Sequence, residues 1–181
     1  MKDSELVWKD ENKTQLLHTC VFDVTAKECV SATGVRGRYF VMDAPDWCVV
    51  IPEKGDRFLT VRQWRHGSTS ITTEFPGGVV EKGEDPAVCA ARELEEETAH
   101  RAGSLVHLGS VSPNPALFTN RLHIYLARDL VPIGAQHLDE DEFVNYVELP
   151  ISEVIANYGK GELTHAYTGT ALGLYLARKA L

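Results

Sequence analysis

With 181 residues and 44% hydrophobic content, the chain is long enough to bury a substantial core, and no linker, repeat or low-complexity tract divides it. Its 18 Lys and Arg against 26 Asp and Glu leave a formal net charge of −8, which repels polyanions and argues against nucleic acid as the main partner. No apolar run approaches the ~20 residues of a membrane span, and a start carrying Lys2, Asp3 and Glu5 lacks a signal peptide's apolar stretch, so the expected location is the cytoplasm without membrane partners.

In chain order, residues 5–9, 16–24 and 36–43 carry β-branched and aromatic content broken by Lys/Asp and Gly/Arg turns, which predicts a small N-terminal antiparallel sheet. Residues 47–52 and 58–64 form the next pair of strands, joined by a turn through Glu53-Lys54-Gly55-Asp56. A helix is expected from about 86 to 99. Asp85 can cap its free N–H groups, Pro86 is tolerated at its first position, and Gly103 is the expected stop. Strands at 104–110, 121–128 and 143–148 and a helix over 165–180 complete the pattern. Strands flanking the first helix, with the late helix on the other side, predict an α/β class: an α/β/α sandwich with a mixed sheet, in a domain 46–181 preceded by a β subdomain 1–45.

Cys20, Cys29, Cys48 and Cys89 show no CxxC pairing, and Cys89 falls inside the predicted helix, so reduced structural thiols are expected. The seven histidines are scattered, which argues against zinc.

The most informative stretch is Gly78, five residues, Glu84, seven residues, then Arg92-Glu93-Leu94-Glu95-Glu96-Glu97. On a helix, Glu93, Glu96 and Glu97 share a face near the C-terminal end. That end of the helix dipole disfavours each exposed carboxylate by about 0.3–1 kcal/mol, and the like charges repel. A compensating cation is called for. Hard oxygen ligands select Mg²⁺, with Mn²⁺ as a substitute, and Mg²⁺ completes its shell with water and substrate phosphates.

Gly77-Gly78, Glu84, Arg92, Glu93, Glu96 and Glu97 together resemble the Nudix box, G-x5-E-x7-R-E-U-x-E-E-x-G-U with U a bulky aliphatic residue. All its charged positions are present. Ala99 and His100 stand where the family has Gly and an aliphatic residue, which reshapes the last turn but leaves the carboxylates intact. Three further segments, Val61-Arg62-Gln63-Trp64-Arg65, Glu74-Phe75-Pro76-Gly77-Gly78 and Ser112-Pro113-Asn114-Pro115, look like the ADP-ribose pyrophosphatase and nucleoside diphosphate sugar hydrolase branch. Pro115 stands where a Pro past the box recurs in that branch.

The resemblance implies the Nudix sandwich fold, and it implies roles. Glu93 and Glu97 look like the principal metal ligands, Glu96 assists directly or through water, and the Gly77 carbonyl matches a backbone ligand. Gly78, Glu84 and Arg92 look structural, with Arg92 pairing a box carboxylate. Arg65 resembles a phosphate-side residue, Glu74 one that faces an Arg or the nucleotide, and Pro115 a substrate-side marker. The general base in this branch is a loop Glu, here Glu142 or Glu140. The implied reaction is Mg²⁺-dependent hydrolysis of the pyrophosphate bond of a nucleoside diphosphate sugar, ADP-ribose or a GDP-sugar such as GDP-mannose, giving a nucleoside monophosphate and a sugar phosphate. A homodimer exchanging N-terminal sheets is also implied. The alternatives are a Nudix enzyme acting on a nucleoside triphosphate, a dinucleoside polyphosphate or an RNA cap, and a non-catalytic Nudix ADP-ribose sensor.

Overall fold

The computed structural model describes residues 2–140 and 142–179. The chain forms two compact units: residues up to Pro45 together with Ser112–Arg121, and Asp46–Val111 together with Leu122 onward.

In the first unit, β1 (Trp8–His18), β2 (Asp23–Ser31) and β3 (Arg36–Asp43) form an antiparallel three-stranded sheet in that order. The sequence reading split the first strand at its Lys/Asp-rich middle and began the second too early. That middle is instead continuous strand with solvent-facing charges: Asp10 pairs with Lys13 and Lys27, and Glu11 with Arg36. The segment Ser112–Arg121 docks on the end of β3, where the Met42 N–H donates to the Leu117 carbonyl at 2.7 Å.

The second unit is built on β4 (Trp47–Lys54), β5 (Arg57–Arg65), β6 (Ser70–Glu74), β7 (His100–Val111), β8 (Leu122–Pro132) and β9 (Val144–Pro150). The sheet order is β6-β5-β4-β8-β7, with β9 paired antiparallel to β5. β4 and β8 run parallel and their other neighbours antiparallel, so the sheet is mixed as expected. The helices α1 (Pro86–Thr98), α2 (Ile151–Asn157) and α3 (Ala166–Lys179) cover its faces.

Because side chains alternate along a strand, β4 divides its apolar residues between two cores. Cys48 and Val50 pack with Cys89, Ala90 and Leu94 of α1, where the free Cys48 and Cys89 thiols meet at 2.8 Å. Val49 and Ile51 face the opposite way, with Phe58, Val154, Leu172 and Tyr175. Phe58 makes edge-to-face contacts with Phe75 and Tyr175, each at 5.1 Å between ring centroids. The sequence reading did not anticipate α2 or β6.

α1 ends at Thr98, one residue inside the expected boundary, because Ala99 turns left-handed with φ 55° and ψ 34°. Gly103 is not the stop. β7 has begun by then, and Gly103 lies where an added Cβ would meet the side chain and carbonyl of Asp129 on β8.

Candidate metal and substrate site

α1 starts as its sequence dictates. Pro86 occupies the first helical position, and the Asp85 Oδ1 accepts the Ala87 N–H at 2.8 Å. The register then turns Glu93 and Glu97 inward, at 9% and 4% exposure, while Glu96 is half-exposed on the same side.

The loop before the helix is held against β4. The Cys48 N–H donates to the Gly78 carbonyl and the Val50 N–H to the Pro76 carbonyl, both at 2.9 Å. Here the two glycines have separate reasons. An added Cβ at Gly77 would strike the Cys48 carbonyl and Val49 Cα, whereas one at Gly78 would strike the Glu93 carboxylate. The bare backbone lets the Gly77 N–H reach Glu97 Oε2 at 2.9 Å.

Arg92 organises the outer side of the site. Its Nη1 donates to Glu93 Oε1 at 2.8 Å and to Glu96 Oε2 at 2.9 Å, and its Nε donates to Glu84 Oε1 at 3.1 Å. Glu84 in turn accepts the Glu81 N–H at 2.9 Å. Glu84 and Arg92 thereby link the loop before α1 to the helix.

Arg65, on the last position of β5, forms a two-pronged pair with the buried Glu74 of β6, at 2.8 and 2.7 Å. Thr72 also donates to Glu74, and His165 lies 3.3 Å away.

These groups open onto one cleft of about 350 Å³, lined by Arg65, Gly77, Glu93, Glu96, Glu97 and Glu142 among others. Of the two loop carboxylates considered for the base, Glu142 lines the cleft; Glu140 is exposed and does not. Pro115 belongs to the other unit, within Ser112–Arg121. Gln63, Val79, Glu81, His137 and Asp139 also line the cleft, and the sequence reading gave none of them a role. Gln63 shares the β5 face of Arg65 by period-two alternation, a signal that was available.

Electrostatics mark the site as cation-seeking. Burial raises the Glu97 carboxyl to about 8, opposed by the Gly77 N–H and reinforced by the charges of Glu93 and Glu142. Burial likewise raises Glu93 to about 6, opposed by Arg92 and reinforced by Glu96 and Glu142. Among the described residues, no three carboxylate, imidazole or thiol groups are gathered at coordination distance, since Arg92 stands between Glu93 and Glu96 and Glu97 turns to Gly77. The donor set nonetheless fits a divalent cation: three glutamates of one helix open on one cleft, two of them buried with a charged form that the protein alone supports poorly.

A family model described as the NUDIX domain matches residues 42–168. The chain is similar to an ADP-ribose pyrophosphatase of Bacillus subtilis (strain 168), 28% identical over 171 residues, spanning 93% of this chain and 92% of the relative. It is also similar to the ADP compounds hydrolase NudE of Escherichia coli (strain K12), 28% identical over 137 residues, 75% of this chain and 73% of that one. Among solved structures, a crystal structure of an ADP compounds hydrolase superposes with a TM-score of 0.83 at 26% identity, covering 96% of this chain and 94% of its own.

Proposed function

The chain belongs to the Nudix family, and from that premise we propose that it hydrolyses the pyrophosphate bond of nucleoside diphosphate sugars in a Mg²⁺-dependent reaction, with ADP-ribose as the leading substrate. The observation that carries the proposal is the convergence of Glu93, Glu96, Glu97, Arg65 and Glu142 on one cleft. The choice of an ADP-containing substrate draws on the activities named for the similar proteins.

In this reading Glu93 and Glu97 are the principal ligands of Mg²⁺ or Mn²⁺, Glu96 assists, and the Gly77 carbonyl contributes from the loop. A bound divalent ion polarises the phosphoryl oxygens and lowers the pKa of water. Glu142 accepts the proton from the attacking water, as a carboxylate lining the same cleft as the metal ligands. Glu140 is the less favoured candidate, being outside that lining. Arg65 faces the diphosphate, and Glu74 fixes its orientation through both prongs of the pair. Gly78, Glu84 and Arg92 maintain the loop and helix. For Pro115 the resemblance alone supports a place on the substrate side. Water adds across the P–O–P bridge, so ADP-ribose yields AMP and ribose 5-phosphate.

The same reading makes the protein a homodimer through its N-terminal sheet, which exposes Trp8, Leu16, Leu17, Tyr39 and Phe40. Sedimentation as a monomer at micromolar concentration would overturn that part. The location is the cytoplasm, a compartment suited to free thiols. Among the described residues no helix is long and apolar enough to cross a membrane.

The functional test is product identification from ADP-ribose, GDP-mannose, UDP-glucose, dGTP and a dinucleoside polyphosphate, with Mg²⁺ and with EDTA. Metal-dependent release of a nucleoside monophosphate from the sugar nucleotides, fastest with ADP-ribose, is expected. Turnover confined to dGTP or the polyphosphate would move the protein to another Nudix substrate class. Tight ADP-ribose binding without turnover would make it a sensor.

A further inference from the structure

A helix leaves its last carbonyls without intrahelical partners, and each must be satisfied from elsewhere. At the end of α1 the Ala99 N–H donates to the Glu95 carbonyl at 2.9 Å, and the His100 Nδ1 lies 2.7 Å from that of Thr98. The two carbonyls between them, on Glu96 and Glu97, belong to metal-ligand residues. Their partners come from far along the chain. The His137 N–H donates to the Glu96 carbonyl at 3.1 Å, and the Gln136 side-chain amide donates to the Glu97 carbonyl.

Gln136 does more than cap. The same Nε2 also reaches the carbonyl of Val144, the first residue of β9, at 3.3 Å. One amide thus ties together the last turn of α1 and both ends of the segment 136–144, which carries His137, Asp139 and Glu142 into the cleft. A second tether lies just upstream, where the Ile133 N–H donates to the Ala99 carbonyl at 2.9 Å.

We infer that Gln136 is a positioning residue, whose amide bridge between the Glu97 and Val144 carbonyls holds the Glu142 loop in register with the carboxylates of α1. The inference rests on the proposed function, since it presupposes that Glu142 and the α1 carboxylates act on one substrate. The residue type is selective. A side-chain amide offers two N–H donors on one nitrogen without charge; Glu has the same shape and no donor when ionised; Asn is a methylene shorter. A lysine ammonium also supplies several donors and is favoured beside helix C-terminal carbonyls.

The effect should fall on the chemical step more than on binding, because misplacing a catalytic group by about 1 Å can cost on the order of 100-fold in rate. The test compares Q136E, Q136L and Q136K in the full chain, measuring kcat and KM for ADP-ribose with Mg²⁺, Tm, and amide hydrogen exchange across 136–144. Q136E and Q136L should lose roughly 10- to 100-fold in kcat with KM changed less than about threefold, while Q136K recovers most of the loss. Exchange at the His137 amide should accelerate in Q136E without metal or substrate. Wild-type kcat in Q136E, or a loss in KM alone, would overturn the inference. Should Q136L fail to fold, Q136E and Q136K carry the comparison. A wild-type protein that turns over none of the substrates would instead overturn the functional reading, and unchanged exchange in Q136E would then still overturn the anchor.

Discussion

The Arg65 guanidinium meets the Glu74 carboxylate with both prongs, Nε to Oε1 at 2.8 Å and Nη2 to Oε2 at 2.7 Å, with the carboxylate fully buried and the guanidinium open to the cleft. The pair joins the end of β5 to the end of β6, and it ties fold stability to the presentation of a cleft cation.

Burial alone would raise the Glu74 carboxyl, but the hydrogen bonds and charge of Arg65, helped by His165 and Thr72, outweigh it and hold the group below its ordinary 4.5. A lowered carboxyl contributes stability that is present above the ordinary value and is lost as pH falls through the lowered one. Thermal melts between pH 5 and pH 3 should therefore show an acid loss that is reduced in Glu74→Gln. That variant should cost about 2 kcal/mol at pH 7, where the charge-assisted bonds are lost. Identical acid limbs in the two proteins would show that the pair contributes nothing.

Glu97 makes the opposite kind of prediction. Its carboxyl, raised to about 8 by burial, favours the protonated form in the metal-free protein. Stability from such a group is greatest below its unfolded value and declines as pH rises through the folded one. Divalent cations bind the deprotonated ligands, so the Tm gain from added Mg²⁺ should grow between pH 6 and pH 8. Glu97→Gln should flatten the metal-free decline and remove most of the Mg²⁺ gain. An equal Mg²⁺ gain at both pH values would count against Glu97 as a ligand.

The adjacent glycines should separate on substitution. Gly77→Ala drives a methyl into β4 backbone, which cannot move cheaply, and should lower Tm strongly. Gly78→Ala meets the Glu93 carboxylate first, a side chain that can give way. It should fold with a small Tm change and lose on the order of 100-fold in kcat. Circular dichroism melts beside steady-state rates decide the matter, and equal Tm losses would refute the distinction.

Ala99 holds a left-handed conformation that costs a Cβ-bearing residue about 1 kcal/mol relative to Gly. Ala99→Gly should raise Tm by about 2–4 °C. Unchanged or lower Tm would mean that the surrounding contacts had already absorbed the strain.

Much of this site was legible because α1 is local. Asp85, Pro86, Arg92 and the glutamates lie within a few turns of one another, and helical periodicity alone places Glu93 and Glu97 together. The family-typical spacing added Glu84 and the glycines. The sheet was readable where the apolar run was continuous, as from Trp47 to Pro52 in β4, and misread in β1, where solvent-facing charges resemble a turn. Residues that close the far side of the helix were not legible. Gln136 and His137 reach α1 across about forty residues, and nothing in their local pattern marks a polar side chain that caps another element's carbonyl. His100, a departure from the family pattern, likewise shows its use only in three dimensions, where its ring sits beside the Thr98 carbonyl and stacks edge-on with Tyr146.

The most direct measurement is ³¹P NMR of ADP-ribose incubated with the wild-type protein and Glu97→Gln, each with Mg²⁺ and with EDTA. The account predicts that the diphosphate resonances give way to those of AMP and ribose 5-phosphate only for the wild type with Mg²⁺, while Glu97→Gln remains folded and inactive. Persistence of the diphosphate with the wild type, or equal conversion by Glu97→Gln, would contradict it.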